Sequence, residues 1–247
     1  MKFDDHFSGH AEEYSRYRPR YPDALFRWVV DRAPAAEIVW DCATGSGQAA
    51  TDLVGYFRRV FASDASHSQV RNAQSHPSIS YYVASAYNSA LPSRSIDAVT
   101  VAQALHWFDF QSFYNEVQRV LQDRGILTAW CYTHPRTEGP MNEIFRRFWG
   151  EIIGPYWPPE RKYVDERYET IPFPFRDSET QTFSADASWT LRQLTGYLRT
   201  WSGSKRYQEV HGTDPVMEIQ DELNDLWGDP ETPRKIYWPI YARSGRV

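Results

Sequence analysis

Asp41, Asp64 and His106, with the glycines at 45 and 47, are the residues whose types and spacing could do chemistry on a nucleotide-like ligand. A short apolar run, Ile38-Val39-Trp40, ends in Asp41, and a loop of small residues then feeds Leu53, Val54 and Phe57 at helical spacing. That is strand, tight turn, helix: the opening unit of a nucleotide-binding α/β fold. Gly45 and Gly47 let backbone approach a ligand where a Cβ would collide, and the helix start offers unpaired N–H groups beside it. Asp64 closes a second apolar run 17 residues after Gly47, near the offset at which such folds place a carboxylate for two ribose hydroxyls. Its alternative role is the N-cap of the helix that follows. His106 is the candidate acid–base group, or a residue simply packed beside Trp107. No Cys/His/Asp spacing reads as a metal site.

The elements that must position these residues alternate. Strands are expected over 38–41, 60–64, 79–84, 96–101 and 126–130, with helices between them, one carrying Phe113, Val117, Val120 and Leu121. Such alternation means right-handed crossovers and a parallel sheet, and ligands bind outside the carboxyl ends of its strands. Asp41, Asp64, Ser85 and Gln103 all fall at such ends. Pro22 opens an earlier helix through Leu25, Phe26 and Val29. Beyond 135 the pattern is irregular. A helix with Ile144, Phe148, Trp149 and Ile152 is broken by Pro155 to Pro159, and a strand is expected over 180–184. Ser188 is the expected cap of a helix with Leu191, Leu194, Leu198 and Trp201; a further helix carries Val216, Ile219, Leu223 and Leu226. Residues 235–243 read as a closing strand, which Pro239 demotes to an edge or a bulge.

At 247 residues the chain suits one large α/β domain, divided as 1–36 (N-terminal lid and first helix), 37–135 (cofactor-binding core), 136–234 (cap and substrate region) and 235–247 (last strand). A net charge of −5 argues against a broad nucleic-acid surface. Cys42 and Cys131 give no disulfide framework, and no signal segment or membrane-spanning apolar run is visible, so a soluble, cytoplasmic protein is expected.

Two patterns compete for the loop. Gly45-Ser46-Gly47-Gln48-Ala49-Ala50 satisfies the dinucleotide fingerprint GxGxxG/A, which is weak alone. Counted back to Asp41, the stretch is D-x-A-x-G-x-G, which resembles motif I of class I S-adenosylmethionine-dependent methyltransferases, with Ala43 in place of the first glycine. A carboxylate there repels a pyrophosphate but can neutralise the ammonium of a methionine tail. With Tyr14-Ser15-Arg16-Tyr17-Arg18-Pro19-Arg20-Tyr21-Pro22, Asp64 and Gln103-Ala104-Leu105-His106-Trp107-Phe108-Asp109, the stretch 3–134 is similar to the trans-aconitate-methyltransferase-like branch (methyltransferase type 11 group); 200–202 and 237–241 match more loosely.

The resemblance implies a Rossmann-like, seven-stranded, mostly parallel sheet with an antiparallel last strand, helices on both faces and a helical cap. It implies S-adenosylmethionine as cofactor and S-adenosylhomocysteine as product. Asp41, Ala43, Gly45, Gly47 and Gln48 would hold the methionine part, Asp64 and Ala65 the ribose, and Ser85 and Ala86 the adenine. Gln103, Ala104 and Trp107 would form the floor near the methyl, and Tyr14 and Arg18 would close over it. Two departures stand out: Ala43 narrows the loop, and Ser85 replaces a frequent Asp. The implied acceptor is a small molecule bearing a carboxylate, hydroxyl or amine. Only the last two need a base, for which His106 is best placed. Trp149, Tyr156, Trp157, Trp189 and Trp201 suit a flat acceptor, and Arg161, Lys162, Arg192, Lys205 or Arg206 could receive its carboxylate; plain core packing is the alternative. The rival functions are an NAD(P)-dependent oxidoreductase and a non-catalytic cofactor-binding protein.

Overall fold

The structure is a computed structural model and describes residues 19–247. Ile38–Cys42 (β1) is buried at every residue but its first, as a central strand covered on both faces must be. Arg59–Asp64 (β2) and Ile79–Val83 (β3) continue the sheet on one side of it. Ile96–Ala102 (β4) and Leu121–Tyr132 (β5) lie on the other. Arg176–Trp189 (β6) and Arg234–Arg246 (β7) complete a seven-stranded sheet in the order β3-β2-β1-β4-β5-β7-β6. β1 to β5 pair in parallel, and β7 runs antiparallel to both its neighbours. Strand order reverses between β1 and β4, which opens a crevice at their carboxyl ends.

Side-chain alternation along each strand assigns the helices to faces. Asp23–Arg32 (α1) and Gln48–Leu53 (α2) bury Leu25, Phe26, Ala50 and Leu53 in one core with Val39, Val60 and Ala62. His67–Arg71 (α3) follows β2. Phe110–Val120 (α4) buries Phe113, Val117 and Val120 on the opposite face, against Trp40, Val99 and Leu127. Fully burying each such side chain stabilises by roughly 1.5–3 kcal/mol. Met141–Arg147 (α5), continued by a π-turn over Phe148–Ile152, and Arg161–Asp165 (α6) follow β5. Leu191–Arg199 (α7), Ser202–His211 (α8) and Gln220–Trp227 (α9) follow β6. These two insertions form the helical cap.

The later half corrects several expectations. β6 is far longer than 180–184 and contains Ser188, which pairs with Lys235. The cap of α7 is Thr190: its hydroxyl accepts from the Gln193 N–H, and the Gln193 side chain accepts from the Thr190 N–H. This is a capping box that Thr-x-x-Gln spells out. β7 is an interior strand despite Pro239. The β5 ladder ends at Tyr132↔Ile240, and the next contact on that side is the Arg136–Tyr237 bridge. The missing proline N–H falls in the gap between them, where nothing needs it. β5 begins at Leu121, with a register shift between the Ile96 and Ala98 pairs that accommodates the extra residues. The last expected helix divides into a 3-10 turn, Pro215–Ile219, and α9, whose buried apolar residues are Leu223 and Trp227, not Leu226.

Candidate active site

The glycine loop is built on a buried carboxylate. Asp41 is wholly inaccessible; its Oδ2 accepts from the Thr44 hydroxyl at 2.6 Å and its Oδ1 from the Thr100 hydroxyl on β4 at 2.8 Å. Burial raises its pKa to about 6 against those two hydrogen bonds, and the charge of Asp64 adds to the rise. From β2, Asp64 accepts from the Gly45 N–H at 2.9 Å with Oδ2 and from the Ser66 N–H at 2.8 Å with Oδ1. Ser66, not Asp64, caps α3. Ala43, Gly45 and Gly47 have φ of 55°, 58° and 86°, so Ala43 carries its Cβ in a conformation that costs an L-residue roughly 1–2 kcal/mol. Gln48 Nε2 donates to the Pro19 carbonyl, tying the start of the described chain to the loop. Tyr14 and Arg18 lie outside the described residues.

The two glycines face different neighbours. A Cβ on Gly47 would stand 2.2 Å from the Tyr81 Oη, whereas on Gly45 it would meet nothing nearer than Gln69 Oε1 at 3.9 Å. Gly45 is the open position a ligand can approach; Gly47 is filled by Tyr81. Both substitutions carry the left-handed penalty. Gly47→Ala is therefore expected to destabilise the empty protein by about 2 kcal/mol or more than Gly45→Ala does, a clash added to shared strain. Thermal melts of the two variants check this, and equal losses would contradict it.

The neighbouring strand ends complete the crevice rim. At the end of β3, Val83 is 48% exposed; beyond it Ala86 is half-buried, and the exposed Ser85 accepts the Tyr87 N–H through Oγ at 3.2 Å. Ala65 is exposed beside Asp64. Beyond β4, Gln103 adopts φ 55° and donates from Nε2 to the Tyr132 carbonyl at 3.0 Å. Ala104 precedes the 3-10 turn Leu105–Trp107, which buries His106.

That turn is the floor of a pocket roofed by the cap. Gln103, His106, Trp107, Tyr132 and Thr133 line it from the sheet, and Trp149, Trp157, Arg161, Tyr197, Trp201 and Ser202 from the cap. The Arg161 guanidinium carbon lies 3.9 Å from the Trp149 ring centre and 4.6 Å from that of Trp157. Its Nε is buried without a hydrogen-bond partner, and the Asp165 carboxylate is 3.7 Å away. Burial lowers the pKa of Arg161 only to about 10, so it is a cation at neutral pH. The remaining expected cations do not reach this pocket's lining: Lys162 lies over Tyr163, Arg192 and Arg206 are exposed, and Lys205 is half-buried on α8. Of the aromatics, Tyr156 packs on Tyr207 and His211, and Trp189 on Trp238 and Tyr197. Tyr132, Thr133 and Tyr197 were not singled out from sequence. The first two lie at the carboxyl end of β5, just past the run expected over 126–130, so the strand-end rule pointed to them; Tyr197 reads as an ordinary buried helix residue.

A methyltransferase-domain family matches residues 40–129, from the middle of β1 into β5. A Dictyostelium discoideum protein named as a methyltransferase is 32% identical over 247 residues, covering 97% of this chain and 94% of its own. A solved Anaeromyxobacter dehalogenans structure named as a type II methyltransferase is 40% identical with TM-score 0.88, over 93% of this chain and 98% of that one. The chain belongs to the class I S-adenosylmethionine-dependent methyltransferases. The methyltransferase also shares its fold, at TM-score 0.51 and 15% identity, with a Haemonchus contortus phosphoethanolamine N-methyltransferase, over 96% of this chain and 57% of that one. Among the described residues of the methyltransferase, no His/Cys/Asp/Glu group could hold a metal ion, and no helix is long and apolar enough to cross a membrane.

Proposed function

We propose that this methyltransferase esterifies a carboxylate on a small, flat acceptor seated under the cap. The carrying observation is Arg161, a half-buried cation set against both the Trp149 and Trp157 rings, with Asp165 3.7 Å away and its Nε without a hydrogen-bond partner. A cation in that setting calls for an anion, and the rings supply faces for a planar one. The resemblance to a branch acting on a carboxylic acid supports the same reading.

The residues present fit S-adenosylmethionine. Asp64 is a half-buried carboxylate at the end of β2, beside the open Gly45, and its two acceptor oxygens suit a pair of vicinal ribose hydroxyls. The space before Gly45 is open, and the exposed Val83 offers an apolar surface beside Ser85 and Ala86 for a purine ring. Asp41 holds the loop and supplies negative charge for the ammonium, and Gln48 ties Pro19 to the same loop. When bound, the cofactor supplies an already activated methyl. The protein then has to align two partners and exclude water, and a carboxylate needs no base.

The test offers radiolabelled cofactor with benzoic acid, benzyl alcohol and benzylamine, and with larger members of each class. Label in acids alone is expected; label only in amines or alcohols would overturn the carboxylate assignment. Asp64→Ala should weaken S-adenosylhomocysteine binding by about 1–3 kcal/mol through lost hydrogen bonds. It should also loosen the loop in the empty protein, because Gly45 and Ser66 lose their acceptor. Unchanged affinity in calorimetry would remove Asp64 from the ribose.

A further inference from the structure

His106 carries one ring nitrogen that the pocket does not use. Its Nδ1 lies 2.8 Å from the Oη of Tyr168, which is 1% exposed and whose ring centre is 5.8 Å away. Tyr168 reaches this position by an unusual route. Arg167 and Tyr168 are consecutive non-glycine residues with φ of 57° and 62°, just past α6. Each conformation costs about 1–3 kcal/mol unless the surroundings enforce it. The surroundings here are the Tyr168 N–H donated to the Tyr163 carbonyl at 2.8 Å and the phenol seated on His106.

Both partners are neutral. Burial drives the His106 pKa well below its usual value, with the charge of Arg161 acting in the same direction, and burial drives the Tyr168 phenol well above its own. Arg161, Cys131 and Tyr21 are the other ionisable groups facing the phenol, and only Arg161 is a cation. One proton therefore sits in the bond, and two arrangements are available. If Nδ1–H donated to Oη, the phenol proton would be left in a buried place with no acceptor among the described residues, a cost of about 1–3 kcal/mol. If the phenol donates to Nδ1, both atoms are satisfied, and the imidazole proton must be on Nε2. The second arrangement wins.

We propose that Tyr168 is a positioning residue that fixes His106 in the Nε2–H tautomer, so that the histidine presents a hydrogen-bond donor, not a base, to an acceptor that arrives already ionised. This rests on the carboxylate reading for the nature of the acceptor, and on the Tyr168 contact for the tautomer. His106 lines the same pocket as Arg161, and both face an acceptor as hydrogen-bond donors. An alcohol or amine that still had to lose a proton finds no acceptor at this nitrogen.

The tautomer is read directly by 15N NMR of histidine-labelled protein without ligand, the His106 signals being assigned by their loss in His106→Gln. A protonated Nε2 and a pyridine-like Nδ1 are expected; a protonated Nδ1 would overturn the proposal, whatever the acceptor turns out to be. Tyr168→Phe should move the His106 pattern toward the other tautomer, and an unchanged pattern would show that the phenol does not set it. Benzoate binding, followed by tryptophan fluorescence, gives the second readout. His106→Gln keeps an N–H near Nε2 and should stay within about threefold of wild type, while His106→Ala loses about tenfold. Equal losses in both variants would contradict a donor role. Failure of benzoate to bind, with Nε2–H still observed, would remove the carboxylate reading and leave the tautomer assignment standing.

Discussion

Asp41→Asn is expected to make the empty protein more stable and a poorer cofactor binder. The carboxylate is wholly buried, its pKa is raised from about 3.8 to about 6, and burial is the main cause. An acid whose folded pKa lies above its unfolded one binds more protons in the native state between those values. Its contribution to stability therefore falls as pH rises from about 4 to about 6 and stays low above that. The shift corresponds to a penalty on the order of 3 kcal/mol at neutral pH. An asparagine keeps the shape, can accept from one threonine hydroxyl and donate to the other, and carries no charge. Chemical denaturation should show this variant more stable by a large part of that amount at pH 7, without the wild-type loss between pH 4 and 6. Calorimetry should show S-adenosylhomocysteine bound at least tenfold more weakly, because the ligand's ammonium has lost its counter-charge. Wild-type binding should likewise weaken as pH falls through about 6. If the variant bound equally well and gained no stability, the loop charge would have neither the cost nor the purpose assigned to it.

Arg161→Met should cost the acceptor and spare the cofactor. Removing the cationic partner of a buried, hydrogen-bonded anion typically costs about 2–5 kcal/mol, which is roughly thirty- to several-thousand-fold in affinity. The loss should fall on the acceptor's KM or on kcat/KM, with S-adenosylhomocysteine affinity within about twofold of wild type. Stability should hold or rise, since methionine can pack against Trp149 and Trp157 without a charge that burial penalises. Arg161→Lys should rescue poorly, because an ammonium reproduces neither the planar fork nor the stacking on the indoles. Unchanged acceptor kinetics in Arg161→Met would mean that the guanidinium only braces the cap.

The sheet and the cofactor rim were legible because their signals are local. A strand ending in a carboxylate, followed by glycines and a helix, fixes Asp41 and Gly45 within one turn of each other, and the strand-end rule carries this to Asp64, Ser85 and Gln103. What the spacing could not show is which neighbour each glycine serves: Gly47 makes room for Tyr81, a residue more than thirty positions away. The cap was legible only as composition. Arg161 stands out among five expected cations because the π-turn at Phe148–Ile152 brings Trp149 over it and the Trp157 indole N–H locks onto the Trp149 carbonyl at 3.0 Å. No periodicity encodes that. Tyr168 was invisible for a related reason, since its reach depends on two left-handed residues where no glycine marks the turn. The misplaced cap at Ser188 had a readable alternative in Thr190 and Gln193. Pro239 misled because the rule against interior proline assumes a neighbour that, at that residue, has already ended.

The carboxylate claim is tested most directly by the bond that holds the transferred methyl. Product labelled from S-adenosylmethionine carrying a radioactive methyl is isolated from the acid acceptor and held in mild alkali. A methyl ester releases its label as volatile methanol, and this is the outcome expected. Label that stays with the acceptor through alkali would mean an ether, an amine or a carbon–methyl bond, and would contradict the account of what Arg161 is there to hold.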